Sequence, residues 1–205
     1  MQEKLVDLPD SRWLKDRFRE YRNPDAKIRR LVEARELIRL KQGYYITAEA
    51  AANPYMLGKA ANRLYGPSYV SFAYALRWYG LIPEHVTHIT SATYGRRRRK
   101  RFDTPAGSFL YRDVPRDVFS AEVRYIGEGK ERFLGASPEK ALCDELYTIP
   151  GNRSIEQIQS LLFEDLRIDE SDFFHLDLKR ILEFGEGYRT DTIRSLLRFI
   201  RKSIR

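Results

Sequence analysis

The stretch LIRLKQGYYIT, residues 37–47, decides how the front of the chain is expected to fold. Its first residues, 37–40, have an extended pattern, Gln42-Gly43 is typical of a tight turn, and residues 44–47 have the pattern of a returning strand. A β-hairpin is therefore predicted here. The segments before and after it set the predicted domain organisation.

Two helices are predicted ahead of the hairpin. Asp10 or Ser11 can cap the first, which is expected to run to about Tyr21 after a short flexible start. Pro24 suits the first position of the second helix, whose apolar residues form one stripe: Ile28, Leu31 and Val32. The order of helix, helix and hairpin is that of a winged helix, although a complete helix-turn-helix has three helices ahead of the wing.

Basic side chains are concentrated on the second helix and the hairpin. They are Lys27, Arg29, Arg30, Arg35, Arg39 and Lys41. Lysine and arginine neutralise phosphates and release counterions, so these residues are the candidate DNA-binding set. Glu33 and Glu36 interrupt the basic face, which favours a helical cap with solvated charges and a structural or protein-binding role. The sequence leaves both interpretations open.

Six consecutive cations lie in the middle of the chain: Arg96, Arg97, Arg98, Arg99, Lys100 and Arg101. Because like charges repel, this run is expected to form an exposed loop or a hairpin tip. A run of this length favours a polyanionic partner over a loop that only aids solubility. That partner could be a nucleic acid or an acidic protein. The wider charge distribution also favours a polyanionic partner for the middle of the chain, because residues 51–135 carry a net charge of +7 and residues 136–205 a net charge of −2.

Small residues at 48–53 form a predicted linker between two domains, residues 1–47 and residues 54–205. Within the second domain, helices are predicted over 54–64, 71–79, from Ser137 onward, and over 154–164, 171–184 and 190–204. Strands are predicted over 85–93, 108–111, 123–126 and 133–134. We therefore expect an α+β fold, in which a winged-helix-like domain precedes a mixed α/β domain with a helical C-terminal part.

The composition restricts the class of protein. The chain has 205 residues, 42% of them hydrophobic, and its 37 basic residues exceed its 29 acidic ones to give a net charge of +8. No apolar run approaches the roughly 18 residues of a membrane span, so no membrane association is expected. The single cysteine, Cys143, excludes an internal disulfide framework. A reducing, cytoplasmic location is therefore expected.

No catalytic, metal or cofactor site is predicted. His85 and His88 would point to opposite faces of a strand, which is wrong for a shared metal ion. Asp144 and Glu145 are sequence neighbours and so do not form a facing acid–base pair, while Cys143 has the pattern of a small buried residue. A nuclease that uses the basic run for its substrate is the enzymatic alternative. The aromatic residues Tyr65, Tyr69, Phe72, Tyr74, Trp78 and Tyr79 are expected to pack in the core.

Three stretches together resemble the AbiEi-type antitoxins of type IV toxin–antitoxin, or abortive infection, systems. They are LIRLKQGYY at 37–45, YVSFAYALRWYGLIP at 69–83 and GASPEKALCD at 135–144. The resemblance covers about residues 25–147, and its middle stretch is the most specific. It implies a two-part transcriptional regulator that lacks enzymatic activity. Arg39, Lys41 and Tyr44 match the positions of backbone-contacting residues in the wing.

The resemblance also implies two partners. The N-terminal domain would bind operator DNA and repress the operon of the toxin and antitoxin, and the second domain would counteract a nucleotidyltransferase-like toxin, with or without direct contact. The alternative is a protein-interaction module or orphan adaptor that uses the basic run on an acidic partner. The last helix, with an apolar stripe from Ile193 to Ile204, is expected to pack internally or to form a homodimer interface.

Overall fold

The computed structural model describes residues 5–96, 99–151 and 153–204, which form an α+β fold. The helices are α1 (Ser11–Arg17), α2 (Pro24–Glu33), α3 (Ala48–Ala51), α4 (Pro54–Leu64), α5 (Phe72–Trp78), α6 (Pro138–Tyr147), α7 (Ile155–Ser160), α8 (Glu170–His175), α9 (Leu178–Gly185) and α10 (Asp191–Ser203). The strands are β1 (Leu37–Lys41), β2 (Tyr44–Thr47), β3 (Tyr69–Val70), β4 (His88–Thr93), β5 (Lys100–Thr104), β6 (Gly107–Asp113), β7 (Val123–Ile126) and β8 (Phe133–Ala136).

The N-terminal helices and hairpin form in the predicted order. The β1–β2 turn contains Gly43 with a positive φ of 79°, a conformation that glycine adopts without strain. Asn23 caps α2 by accepting a hydrogen bond from the backbone N–H of Ala26, and Pro24 occupies its first turn. Helix α1 ends at Arg17, earlier than the predicted Tyr21. A small apolar cluster joins these elements: Leu14, Ile28, Leu31 and Leu37.

The segment just before α1 is held against the hairpin. Asp10 forms an isolated bridge with Tyr44, and the backbone N–H groups of Tyr45 and Thr47 donate to the carbonyl oxygens of Pro9 and Asp7, each at 3.0 Å. The flexible start that the sequence suggested is therefore wrong for residues 7–9, because β2 pairs with them along one edge. Residues 1–4 lie outside the described part of the chain.

The predicted linker at 48–53 contains a short helix. Thr47 caps α3 by accepting a hydrogen bond from the backbone N–H of Ala50, and Asn53 caps α4 through the N–H of Tyr55. Ala50 is buried in the same cluster as residues of the hairpin and of α4. The hairpin therefore continues directly into the second part of the chain through packed structure.

A six-stranded mixed sheet forms the centre of the molecule, with strand order β5-β6-β4-β3-β8-β7. Strands β4 and β6 are parallel, as are β3 and β8, and the other neighbouring pairs are antiparallel. Strands β5 and β7 are the two edges. The predicted strand over 85–93 is shorter in the structure, because β4 begins only at His88.

The sheet separates two apolar clusters. Successive residues of a strand point to opposite faces, so Tyr69 of β3 belongs to one cluster and Val70 to the other. Ile89, Phe109 and Phe133 point to the face that is covered by α4 and the hairpin. The opposite face is covered by α5, α6 and the C-terminal helices. The hairpin and the C-terminal helices therefore lie on opposite sides of the sheet.

The C-terminal helices depart from the sequence prediction in two places. The helix predicted over 154–164 becomes π-helical at 161–165, and the helix predicted over 171–184 is broken into α8 and α9. A new helix, α9, begins after Asp177, because the side chain of Asp177 caps it by accepting a hydrogen bond from the backbone N–H of Arg180. Gly185 is the last residue of α9 with an ordinary helical φ of −60° rather than a left-handed stop.

Helix α10 packs inside the chain. Thr190 caps it at the predicted start, and its apolar stripe is buried: Ile193, Leu196, Leu197 and Ile200. Ile204 lies outside this buried stripe and is 49% exposed. The apolar face of α10 is thus used for the internal core, which was the first of the two predicted roles.

A buried polar network links the sheet to the C-terminal helices. Lys140 and Asp144 lie one turn apart on α6 with side chains that are 0% exposed, and Nζ is 3.1 Å from Oδ1. Tyr188 donates to Oδ1 of Asp144 at 2.5 Å, while Tyr69 and Ser71 donate to Oδ2 at 2.9 and 2.6 Å. Both carboxylate oxygens are therefore fully engaged.

The ammonium group of Lys140 is satisfied in the same way. Besides Asp144, it donates to the carbonyl oxygen of Val118 at 2.8 Å and to the hydroxyl of Tyr188 at 2.6 Å. Burial and the neighbouring Asp144 charge raise the pKa of Tyr69 and of Tyr188 well above the ordinary tyrosine value, so both phenols stay protonated. The network joins β3, α6 and the turn before α10.

We expect Asp144→Ala to lower the free energy of unfolding by about 3–5 kcal/mol, because it leaves the buried ammonium group of Lys140 without its counter-charge. Urea unfolding followed by circular dichroism measures this loss. Asp117→Ala is the matched control, since Asp117 pairs with Arg189 at the surface and such pairs contribute about 0–1 kcal/mol. Equal losses in the two variants would contradict a stabilising role for the buried network.

Candidate nucleic-acid interface

The tip of the hairpin lies against the edge of the central sheet. The ammonium nitrogen of Lys41 at the end of β1 is 4.3 Å from the ring centre of Tyr44 and 5.8 Å from that of Phe102 on β5. Lys100 lies 5.2 Å from the same Phe102 ring. The structure thus brings together the hairpin and the end of the basic run, which are far apart in the sequence.

Two more cations extend this contact into a continuous arrangement. The guanidinium of Arg96 lies 5.2 Å from the ring centre of Tyr65, which in turn is 6.3 Å from Phe102. Arg63 at the end of α4 lies 6.0 Å from the ring of Tyr44. We call this group the basic seam; it consists of the cations Lys41, Arg63, Arg96 and Lys100 on the rings of Tyr44, Tyr65 and Phe102.

Lys41 has a structural role within the basic seam. It is half-buried, and its ammonium group donates to the carbonyl oxygen of Leu64, the last residue of α4, at 2.5 Å. Burial lowers its pKa, and the nearby Lys100 charge lowers it further. Lys41 therefore ties the hairpin to the C-terminal end of α4, where a cation is favoured.

The basic run is only partly a loop. Arg97 and Arg98 lie outside the described residues, whereas Arg96 is held by its backbone N–H, which donates to Asp113 at 2.7 Å, and by its side chain, which donates to the carbonyl oxygen of Gly66. The prediction of one exposed loop or hairpin tip is wrong for Lys100, because this residue begins the edge strand β5.

Arg101 is also part of β5, and it pairs with Asp103 at 2.7 Å. The cations at this edge line a shallow groove of about 180 Å³ together with Leu110 and Tyr111: Arg99, Lys100, Arg101 and Arg112. Alternate residues of an edge strand face the same side of the sheet, so a strand can present only some of its charges to one partner. Arg99 and Lys100 remain exposed at the sheet edge.

The cations of α2 and its C-terminal end form a second group. Lys27 is half-buried and lies 5.6 Å from the ring of Tyr21, and Arg29 pairs with Glu33 at 3.8 Å. Arg30 and Arg35 are exposed, and within the described part of the chain neither forms an ion pair. No hydrogen bond, ion pair or ring contact among the described residues joins these four side chains to the basic seam. The predicted DNA-binding set is therefore split into two places.

The two remaining predicted positions are both on the hairpin. Arg39 is exposed on β1, opposite Tyr45. Tyr44 is half-buried, and its ring lies beneath Lys41 and Arg63. Arg39 is thus placed where a ligand can reach it, whereas the ring of Tyr44 supports other cations.

Sequence reasoning missed Arg63, Tyr65 and Phe102 as members of the basic seam. Arg63 had a detectable signal, because it lies in the last turn of the helix predicted over 54–64, where a cation is favoured. Phe102 had none, since its proximity to the hairpin depends on tertiary packing. The expected burial of the aromatic group is confirmed for Tyr69 and Phe72, which are at most 1% exposed.

The carboxylates of α6 do not form a facing pair. Asp144 points into the buried network, and Glu145 accepts a hydrogen bond from the backbone N–H of Ala73 at 3.0 Å. Cys143 is buried as predicted, and burial raises the pKa of its thiol. Across residues 5–96, 99–151 and 153–204, no group of three or more metal-ligating side chains is arranged to hold an ion.

Comparisons with known proteins leave the family open. No protein-family model matches the chain, and no curated protein matches it significantly. In the part of the chain that the structure describes, no helix has the length and apolar character needed to cross a membrane.

We expect Lys41→Ala to lower the free energy of unfolding by about 1–2 kcal/mol, because it leaves the Leu64 carbonyl without its donor and removes packing on two rings. Arg39→Ala is the matched control, since this exposed side chain on the same strand should change the free energy by less than about 0.5 kcal/mol. Chemical denaturation of both variants measures the difference. Indistinguishable stabilities would contradict the structural role of Lys41.

Proposed function

We propose that the chain is a DNA-binding antitoxin of the AbiEi type, which represses its own operon and counteracts a nucleotidyltransferase-like toxin. The proposal is supported by the helix–helix–hairpin order at the front of the chain and by the three stretches that resemble this family. Two of those stretches, 69–83 and 135–144, meet in the structure through the hydrogen bonds of Tyr69 and Ser71 to Asp144.

The observation that carries the DNA-binding part is the basic seam. A wing alone would offer Arg39 and Lys41 to a phosphate backbone. The seam adds Lys100, which shares the Phe102 ring with Lys41, and Arg96, which lies on the neighbouring ring of Tyr65. A duplex seated on the wing would therefore meet further cations at the edge of the sheet. Each additional neutralised phosphate releases counterions and strengthens binding at low salt.

The two cation groups suit different tasks in this proposal. Arg30 on the exposed face of α2 is free of ion pairs among the described residues, so it can reach a base edge in the major groove. Arg39, Arg99 and Lys100 contact phosphates and set the orientation of the protein on the duplex. The chain carries out this binding without a reaction of its own.

Counteracting the toxin is assigned to residues 54–205 as a whole. The hairpin contributes Leu40 and Ile46 to the same apolar cluster as Ala60 and Phe133 of this second part, so the two parts share a core. Removal of residues 1–47 would expose that core. Point variants on the surface are consequently the appropriate way to separate the two activities.

The second candidate function is an interaction module that binds an acidic protein without binding DNA. It is favoured by the engagement of several candidate cations within the chain, such as Arg29 with Glu33 and Arg101 with Asp103. A surface whose charges are partly neutralised has a lower attraction for a duplex. A direct DNA-binding measurement separates the two functions.

We expect Arg39→Ala and Lys100→Ala each to weaken binding to a duplex from the chain's own upstream DNA by about threefold to tenfold and to reduce the salt dependence by about one phosphate contact. Fluorescence anisotropy across a salt series measures both effects. Arg77→Ala is the control, because Arg77 is exposed on α5 away from the seam. Absence of binding by folded protein at about 50 mM salt would exclude the repressor function.

The double variant Arg30→Ala/Arg39→Ala should raise expression from a reporter under the chain's own upstream region to the level without the protein. The same variant should still restore growth when the neighbouring nucleotidyltransferase is produced, because both side chains are exposed and outside the core. Arg77→Ala should retain both activities. Loss of growth rescue by the double variant at an unchanged protein level would contradict the division into two activities.

A further inference from the structure

A second basic feature lies on the other side of the sheet, among the C-terminal helices. A groove of about 470 Å³ is lined by four arginines, two acidic residues and one leucine: Arg153, Arg194, Arg198, Arg201, Glu186, Asp191 and Leu197. The net charge of residues 136–205 is −2, so the overall composition hides this local excess. The DNA binding proposed above does not use the groove.

The spacing of three arginines along α10 places them on one wall. Residues 194, 198 and 201 are separated by four and three positions, so their side chains share one face of the helix. At about 1.5 Å of rise per residue, they extend over about 10 Å. Arg153, which precedes α7, closes the groove from the opposite side and accepts a hydrogen bond on its carbonyl oxygen from Arg198.

The two carboxylates hold the guanidinium groups in position. Asp191 pairs with Arg153 at 3.0 Å and with Arg194 at 3.1 Å, while Glu186 pairs with Arg201 at 2.8 Å. Arg198 forms no ion pair among the described residues, although its charge interacts with that of Glu156, and it donates to the hydroxyl of Ser195 at 2.9 Å. Four guanidinium groups and two carboxylates leave the groove with a net charge of +2.

The chemistry of the lining restricts the class of ligand. Guanidinium groups bind phosphate and carboxylate oxygens through pairs of N–H donors. A ligand must compete with Asp191 and Glu186 for these donors, so a short chain of phosphates is favoured over single carboxylates because it carries several charges within a few ångströms. The volume is in the range of small-molecule sites, about 300–1,000 Å³.

We propose that this groove binds the phosphate chain of a small molecule, either an inorganic oligophosphate or a nucleoside polyphosphate. None of the described residues that line the groove is aromatic, so the site recognises the phosphate chain and leaves a nucleobase outside. The groove belongs to the layer of α6, α7, α9 and α10, whereas the basic seam lies with the hairpin on the other face of the sheet. The site therefore acts independently of DNA binding at the seam.

Isothermal titration of the full chain with inorganic tripolyphosphate at about 0.15 M salt tests the proposal, since surface charges are well screened there. One binding site is expected. Arg198→Glu should weaken the affinity at least tenfold, and Arg194→Glu should do the same if Arg198→Glu does not fold. Lys179→Glu is the matched control, because it makes the same charge change at an exposed position of α9.

Two further titrations identify the source of the phosphate chain. If adenosine and guanosine triphosphates bind as tightly as tripolyphosphate, the result supports a nucleotide ligand. If only tripolyphosphate binds, the result supports an inorganic ligand. Equal tripolyphosphate affinity of Arg198→Glu and Lys179→Glu would overturn the proposal. The proposal would also be overturned if the folded chain did not bind tripolyphosphate and Arg198→Glu weakened binding to duplex DNA. The groove would then bind a nucleic-acid backbone. Failure of the basic seam to bind DNA leaves the titration result unaffected.

Discussion

The buried pair of Lys140 and Asp144 is the interaction on which the second part of the chain depends. Removing two charges from water costs several kcal/mol per ion, and the attraction within the pair offsets this only when the remaining donors and acceptors are satisfied. Here Tyr69 and Ser71 come from the sheet region and Tyr188 from the turn before α10, so the pair is stable only when all three have docked. The fold and the ion pair therefore require each other.

The central sheet determines which charges can act together. Its two faces carry separate apolar clusters, one shared with the hairpin and the other with the C-terminal helices. Cations at the hairpin tip consequently meet those of the edge strand through Phe102, while the arginines of α10 gather around Asp191 and Glu186 on the other side. The positive charge of the chain is thus concentrated in two separate regions and is not spread evenly over the surface.

Local signals in the sequence predicted much of the fold. Asn23-Pro24, Ser137-Pro138 and Thr190 mark helix starts correctly, because capping depends on residues within one turn. The break between α8 and α9 was missed because the apolar period continues through it. The role of Lys140 was missed because its burial depends on the carbonyl oxygen of Val118 and the hydroxyl of Tyr188, which are distant in the sequence. The candidate site was predicted in part: Lys41 and Lys100 were both singled out, but their contact depends on packing between distant segments.

Strand β5 shows how the same charges have a second effect. It is an edge of the sheet, and an edge offers unpaired backbone groups to any other extended chain. Lys100 and Arg101 lie on this strand, so a second copy of the protein that approached edge to edge would bring like charges together. The edge is thereby protected against strand pairing between copies and against the aggregation that follows from it, while a negatively charged polymer remains free to approach.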